Sequence, residues 1–281
     1  MAEQPHFRSF AEEIAAHKTA ETVSPEVIGL ETIHSALDVR LRGAFITRCE
    51  LTSPTTGQRA PVLFQDHNLS APKLDAAHAM LPAGKYAGIG EQHGYPRWAD
   101  YHAFPVVPGY NGRDQLALQA VRSDTGLAFS RIFELGESEV RITNRVQNPG
   151  QTAEHTSIGE HLYLDLPGGS FADLLVDGRT IDELAGPGSS DVLHSGGTLF
   201  YQFDGQTVLE FPAGHAVRLA AEFTGETAYP PALWIWKKPD HPSICFEPVV
   251  GVAGVELTDD RQGVTIQPGG VAELTTTIVM L

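Results

Sequence analysis

From residue 36 to residue 281 the sequence consists of short runs, five to nine residues long and rich in β-branched and aromatic types, each closed by Gly, Pro, Asn or Asp. Such punctuation is what a chain of short strands and turns requires. The stretch "LALQAVRSDTGLAFSRIFELGESEVRITNRVQNPG" shows it best: three strand-like runs meet at "SDTG" and "LGES", which predicts a meander of hairpins. Further runs follow, among them "GTLFYQF", "QTVLEF", "HAVRLAAEF", "ALWIWKK", "SICFEPVV", "GVTIQP" and "VAELTTTIVML". A dozen or more strands would not stay in one flat sheet, so the expectation is an all-β fold of stacked sheets, a large β-sandwich.

The one helical signature lies at the start. Ser9 and Glu12 have the spacing of a capping box, and Phe7, Phe10 and Ile14 recur at helical period, predicting a short amphipathic helix in an N-terminal extension over residues 1–35. With 281 residues, 42% of them hydrophobic, the chain suffices for one large core, and a single domain over 1–281 is expected.

Charge narrows the function. Nineteen basic against 35 acidic side chains give a formal charge of -16, and no basic cluster relieves it, so nucleic acid and anionic lipid are poor partners. No apolar run reaches the length of a membrane span, and the first residues lack a basic leader followed by an apolar core, which predicts a cytoplasmic protein. Cys49 and Cys245 fit neither a disulfide framework nor a zinc motif and read as small apolar strand residues. Walker, dinucleotide-binding and nucleophile-elbow patterns are missing.

Between residues 64 and 112 the text changes to Gly, Pro, His and aromatics, an insertion whose composition points to function rather than disorder. It contains "EQHGYPRW", where Gly94 lets backbone approach a ligand, Arg97 offers a fork to anions or hydroxyls, and Trp98 a flat apolar platform beside His93. A turn with a structural histidine is the competing reading. In "IGEHLYLDLP" the period of a strand sends Glu160, Leu162, Leu164 and Leu166 one way and His161, Tyr163 and Asp165 the other. His161 is a natural proton donor or acceptor, although a strand histidine is more often structural. In "SICFEPVVG", Glu247 stands in an apolar run, where a carboxylate must pair, face a cleft or hold its proton more tightly. His93, His161 and Glu247 are also types that bind zinc, but their wide spacing is unlike the compact His-Glu-x-x-His arrangement.

In this order and spacing the three segments resemble the aldose 1-epimerase, or galactose mutarotase-like, superfamily, and within it the glucose-6-phosphate 1-epimerase-like branch. "HGYPRW" is similar to that branch's first histidine motif, "HLYLDL" to its second, and "ICFEP" to the strand that carries its glutamate. The resemblance covers most of residues 36–281 and implies a large twisted β-sandwich with a groove on one sheet. It further implies that Glu247 takes the proton from the anomeric hydroxyl of a sugar, that His161 protonates the ring oxygen, and that His93 orients the sugar. No cofactor and no metal are implied.

The branch's Arg-Gly-Gly-x-P segment has no match: the corresponding region is "AHAMLPAGKYAG", with His78 in the arginine's place and Lys85 nearby. A neutral hexose is therefore at least as suitable as a sugar phosphate. Asp182 in "GRTIDEL" corresponds to a substrate-contacting aspartate of the family. The expected partner is a small-molecule sugar, bound by a monomer or a homodimer. Two further readings stay open: a carbohydrate-binding protein that lacks turnover, and a metal-dependent hydrolase or isomerase built on His and Glu. The tryptophans of "LWIWKK" read as core.

Overall fold

The computed structural model describes residues 26–81, 83, 93–108, 113–120, 126–166, 170–202, 204–254 and 263–281. The helix expected around Ser9 and Glu12, and Lys85, lie outside the described residues. In chain order the strands are β1 (Val27–Glu31), β2 (Ala36–Arg40), β3 (Phe45–Thr52), β4 (Arg59–Pro61), β5 (His78–Met80), β6 (Tyr101–Ala103), β7 (Val107–Pro108), β8 (Asp114–Ala120), β9 (Ala128–Leu135) and β10 (Glu139–Gln147). They continue as β11 (Glu154–Thr156), β12 (Ile158–Asp165), β13 (Leu175–Val176), β14 (Thr198–Gln202), β15 (Gln206–Glu210) and β16 (Ala216–Thr224). The last are β17 (Glu226–Thr227), β18 (Ala232–Trp236), β19 (Ser243–Val250), β20 (Val264–Ile266) and β21 (Val271–Met280).

Two sheets make the sandwich. The larger, nine-stranded, runs β13-β15-β16-β21-β10-β9-β8-β6, with β7 also on β8; the smaller, five-stranded, runs β14-β18-β19-β12-β5. The predicted meander is present as β8, β9 and β10, antiparallel neighbours in sequence order. Alternation is clean in β9, where every second residue is buried, so one face meets the core and the other meets water. Phe129, Phe133, Ile142, Leu274 and Ile278 from this sheet and Leu162, Leu164, Leu233, Ile235, Ile244 and Phe246 from the smaller one join a single apolar cluster. The other two sheets are four-stranded, β1 to β4 in chain order, and three-stranded, β11-β20-β17.

The extension expected over residues 1–35 needs correction at its end. Val27–Glu31 forms β1 and pairs with β2 from Val27↔Arg40 to Glu31↔Ala36, so strand pairing rather than helix governs this stretch. Helix is scarce elsewhere. Ile181–Ala185 starts with a capping box, the Thr180 hydroxyl accepting from the Glu183 amide while the Glu183 carboxylate accepts from the Thr180 amide. No helix of the described residues is long and apolar enough to cross a membrane.

The five-stranded sheet differs from the larger one in a way that locates the site. All eight residues of β19 are buried, and seven of the eight in β12. Both faces of these strands are covered, and only one of them is covered by the apolar core.

Candidate active site

Strand register assembles the site. β12 and β19 are antiparallel with Gly159 opposite Val249 and Leu162 opposite Phe246, so His161 and Glu247, falling between these pairs, face each other. His161 also lies opposite His78 of β5, and Glu247 opposite Trp234 of β18. The row His78, His161, Glu247, Trp234 thus crosses four strands on one face. Two residues along, Tyr163, Cys245 and Trp236 form a second row on the same face.

His161 Nε2 approaches Glu247 Oε1 to 3.2 Å, with both side chains almost wholly removed from solvent. The imidazole of His161 lies nearly parallel to two neighbours, its ring centroid 4.8 Å from that of His78 and 4.6 Å from the Tyr163 ring. His93 stands edge-on to it at 5.0 Å. His93 reaches this position from a turn where its own φ is 68° and that of Gly94 is 58°. A side chain in that left-handed region costs roughly 1–2 kcal/mol, which glycine avoids and histidine does not. The strained residue is one whose ring is needed in one place, the usual context of such outliers.

Two imidazoles have a defined tautomer. His78 Nδ1 meets the Ala76 carbonyl and His93 Nδ1 the Ala83 carbonyl, both at 2.9 Å. A carbonyl only accepts, so Nδ1 donates and each Nε2 is left as an acceptor. Burial holds both below the ordinary histidine range, His93 down to about 4. His161 is likewise held well below it by burial and then by the neighbouring His78, His93 and Arg97. Glu247 moves the other way: burial pushes its carboxyl up to about 8, against the pull of Arg97. Burial thus disfavours the charged forms of the imidazoles and of the glutamate alike, and His161 and Glu247 lie within one proton transfer of each other.

The remaining expected residues divide. Arg97, buried at the end of the Tyr95–Arg97 turn, is lowered to about 10 by burial and steadied by Tyr163 and Glu247, which places its guanidinium at the site. Tyr163 and His78 flank His161 as described. Trp98 is buried as part of the main apolar core, with the Arg97 guanidinium 6.0 Å from its ring. Asp182 lies in the helix Ile181–Ala185. Its carboxylate accepts the Ser190 amide at 2.8 Å and ties helix Ile181–Ala185 to helix Ser189–His194, a task within that turn.

Of the tryptophans read as core, Trp236 faces the site while Trp234 is buried among apolar side chains. Trp236 meets His161 at 5.8 Å and Tyr163 at 6.3 Å between ring centroids, edge to face, and donates from Nε1 to the Gly196 carbonyl. Trp234 joins Met80, Ala83, Ala232, Val249 and Val252 in a small apolar cluster separate from the main one. Strand period was the signal available for both, since Leu233 and Ile235 take the core side. His241 escaped sequence reasoning entirely: it lies edge-on to Tyr163 and Phe64 and shares a hydrogen bond with the Ser243 hydroxyl. For metal, the described residues bring His161, Cys245 and Glu247 together, with donor atoms within 4.8 Å of one another. Cys245 is buried on the site face, not in the main core cluster.

Comparison with known proteins gives a fold. No protein-family model and no curated sequence matches the chain. Solved structures do: the Slr1438 protein of Synechocystis sp. PCC 6803 is 18% identical with a TM-score of 0.65, covering 93% of this chain and 98% of its own. A galactose mutarotase related enzyme from Lactobacillus acidophilus is 17% identical with a TM-score of 0.64, over 91% of this chain and 97% of its own. A galactose mutarotase-like protein from Lactobacillus casei ATCC 334 is 16% identical with a TM-score of 0.61, over 91% and 100%. The chain has the galactose mutarotase-like fold.

Proposed function

We propose that the protein is an aldose 1-epimerase, interconverting the α and β anomers of a sugar by opening and reclosing its ring. The observation that carries this is the opposition of His161 and Glu247 at 3.2 Å, an acid and a base within one proton transfer of each other on a covered sheet face. Neighbours of the same fold include proteins described as a galactose mutarotase related enzyme and as galactose mutarotase-like.

Ring opening needs one proton removed from the anomeric hydroxyl and one delivered to the ring oxygen. Passing a proton from Glu247 to His161 creates a carboxylate and an imidazolium, and the positive Arg97 favours that carboxylate. Glu247 then takes the hydroxyl proton as His161 protonates the ring oxygen. The bond from the anomeric carbon to the ring oxygen breaks, leaving an aldehyde. Rotation about the next carbon–carbon bond presents the other aldehyde face, and reversed transfers close the ring. The pair ends with the proton it began with, so neither oxidant nor cofactor enters the balance. His93 accepts a hydrogen bond from a sugar hydroxyl at its free Nε2, while Tyr163 and Trp236 supply flat apolar walls.

The test is NMR saturation transfer between anomers over a panel of free and 6-phosphorylated aldoses, on wild type and Glu247→Gln. Exchange above the spontaneous rate that vanishes in the variant supports the proposal and identifies the sugar class. Retained binding with no acceleration for any aldose overturns it in favour of a sugar-binding protein.

A further inference from the structure

The ring-opening chemistry makes no use of Cys245, yet strand register aims this buried thiol into the same face as the two residues that do the work. It sits two residues from Glu247 on β19 and opposite Tyr163 on β12. One imidazole nitrogen, one sulfur and one carboxylate oxygen, contributed by His161, Cys245 and Glu247, lie within 4.8 Å of one another. The sulfur is what makes this set distinctive. Thiolate with imidazole selects zinc and similar borderline ions over magnesium or calcium, which prefer oxygen alone.

Geometry sets how much must move. Tetrahedral zinc bonded to nitrogen, oxygen and sulfur at ordinary lengths holds its ligand atoms about 3.3 to 3.6 Å apart. The His161 and Glu247 atoms are already 3.2 Å apart, so those two need almost no adjustment. Only the Cys245 sulfur has to swing inward, closing a separation of up to 4.8 Å by roughly 1.2 Å on the same tetrahedral lengths.

We infer that His161, Cys245 and Glu247 form a three-ligand site for Zn²⁺, whose occupancy blocks the acid and base and switches the groove off. Binding converts the Cys245 thiol to a zinc-bound thiolate, its proton leaving to solvent, and the fourth tetrahedral position stays open to water or a sugar hydroxyl. The metal site stands on the three donors alone; its inhibitory effect rests on the epimerase reading.

Chelator-treated full-length protein, titrated with Zn²⁺ in equilibrium dialysis, tests it. The expected result is one Zn²⁺ per chain, weakened at least about 100-fold in Cys245→Ser, because losing a ligand costs more than the roughly 10–100-fold lost with an outer hydrogen-bonding partner. Cys49→Ser, altering the other buried thiol, leaves binding unchanged. Co²⁺ in place of zinc gives a thiolate-to-cobalt charge-transfer band in wild type and Cys49→Ser that is lost in Cys245→Ser. Should Cys245→Ser fold poorly, His161→Gln gives the same comparison of binding. No stoichiometric zinc, or equal binding by Cys245→Ser, overturns the site. Anomer exchange that zinc inhibits in wild type but not in Cys245→Ser supports the switch, and exchange that bound zinc leaves untouched overturns it. Zinc binding without exchange in any variant leaves the metal site standing and removes the epimerase reading instead.

Discussion

Two glutamates on neighbouring strands of one sheet have the same burial and opposite surroundings. Glu160 enters the core side of β12, where one nitrogen of Arg131 lies 2.7 Å from each of its oxygens and Asn144 donates at 2.8 Å. Arg131 also donates to Asn144 and to the Ala44 carbonyl, so the pair ties β9 and β10 to β12 across the sandwich. Glu247 enters the opposite face and meets a neutral histidine, with Arg97 close enough only to oppose burial in part. Burial pushes both carboxyls up, but Arg131 and Asn144 pull Glu160 back. Saturated hydrogen bonding makes a carboxylate a fastener; leaving it short of partners makes it a proton carrier.

The sharpest way to break this contrast is to neutralise each glutamate. Glu247→Gln should slow anomer exchange by about 10² to 10⁴-fold, the span typical of one acid–base group, with an unchanged or higher urea midpoint, since no fastening is lost. Glu160→Gln should do the reverse in kind: about 3–5 kcal/mol of stability lost in urea unfolding, because the Arg131 charge is stranded in the core. Replacing both, as Arg131→Met with Glu160→Leu, should recover most of that loss.

A smaller effect tests how tightly the face that carries His161 is packed. Gly159 precedes His161 by two residues on that face, and an added Cβ would lie 2.5 Å from Met80 Cε and 2.9 Å from Val249 Cγ1. The methionine end can swing away, whereas the β-branched valine is stiff. Gly159→Ala should therefore cost about 1–3 kcal/mol, with part restored by Val249→Ala in the same chain. The smallest effect belongs to Asp165, the half-buried carboxylate at the end of the same row, raised by burial. Its charged form is disfavoured in the folded state, so stability falls as pH rises from the ordinary carboxylate value of 3.8 through the raised folded value. Asp165→Asn should raise the urea midpoint slightly at neutral pH, and the gain should vanish as pH falls to that value.

Much of the architecture was legible because strands announce themselves locally. The meander of β8 to β10 and the runs that became β14 to β16 and β18 to β21 carried their own turn residues and period. The faces of β12 were legible for the same reason. Partner identity was not: nothing near Glu160 in sequence foretells Arg131, and nothing near Cys245 foretells His161, because both pairings depend on which strands become neighbours. Aromatics misled in both directions. Trp98 looked like a platform because Arg and Gly surround it, yet it packs into the main core, while Trp236 faces His161, its period outvoted by the general preference of tryptophan for cores.

The alignment of β12 on β19 has a temporal consequence. These strands are separated by every element from β13 to β18, so no local hairpin brings them together, and closing so long a loop is slow. Because sides alternate residue by residue, a slip of one position would hide His161 among the leucines and expose Glu160 in its stead. Such a misaligned chain would have every strand and no chemistry. During refolding the face that carries His161 and Glu247 therefore comes into being only when this long-range pairing locks in register.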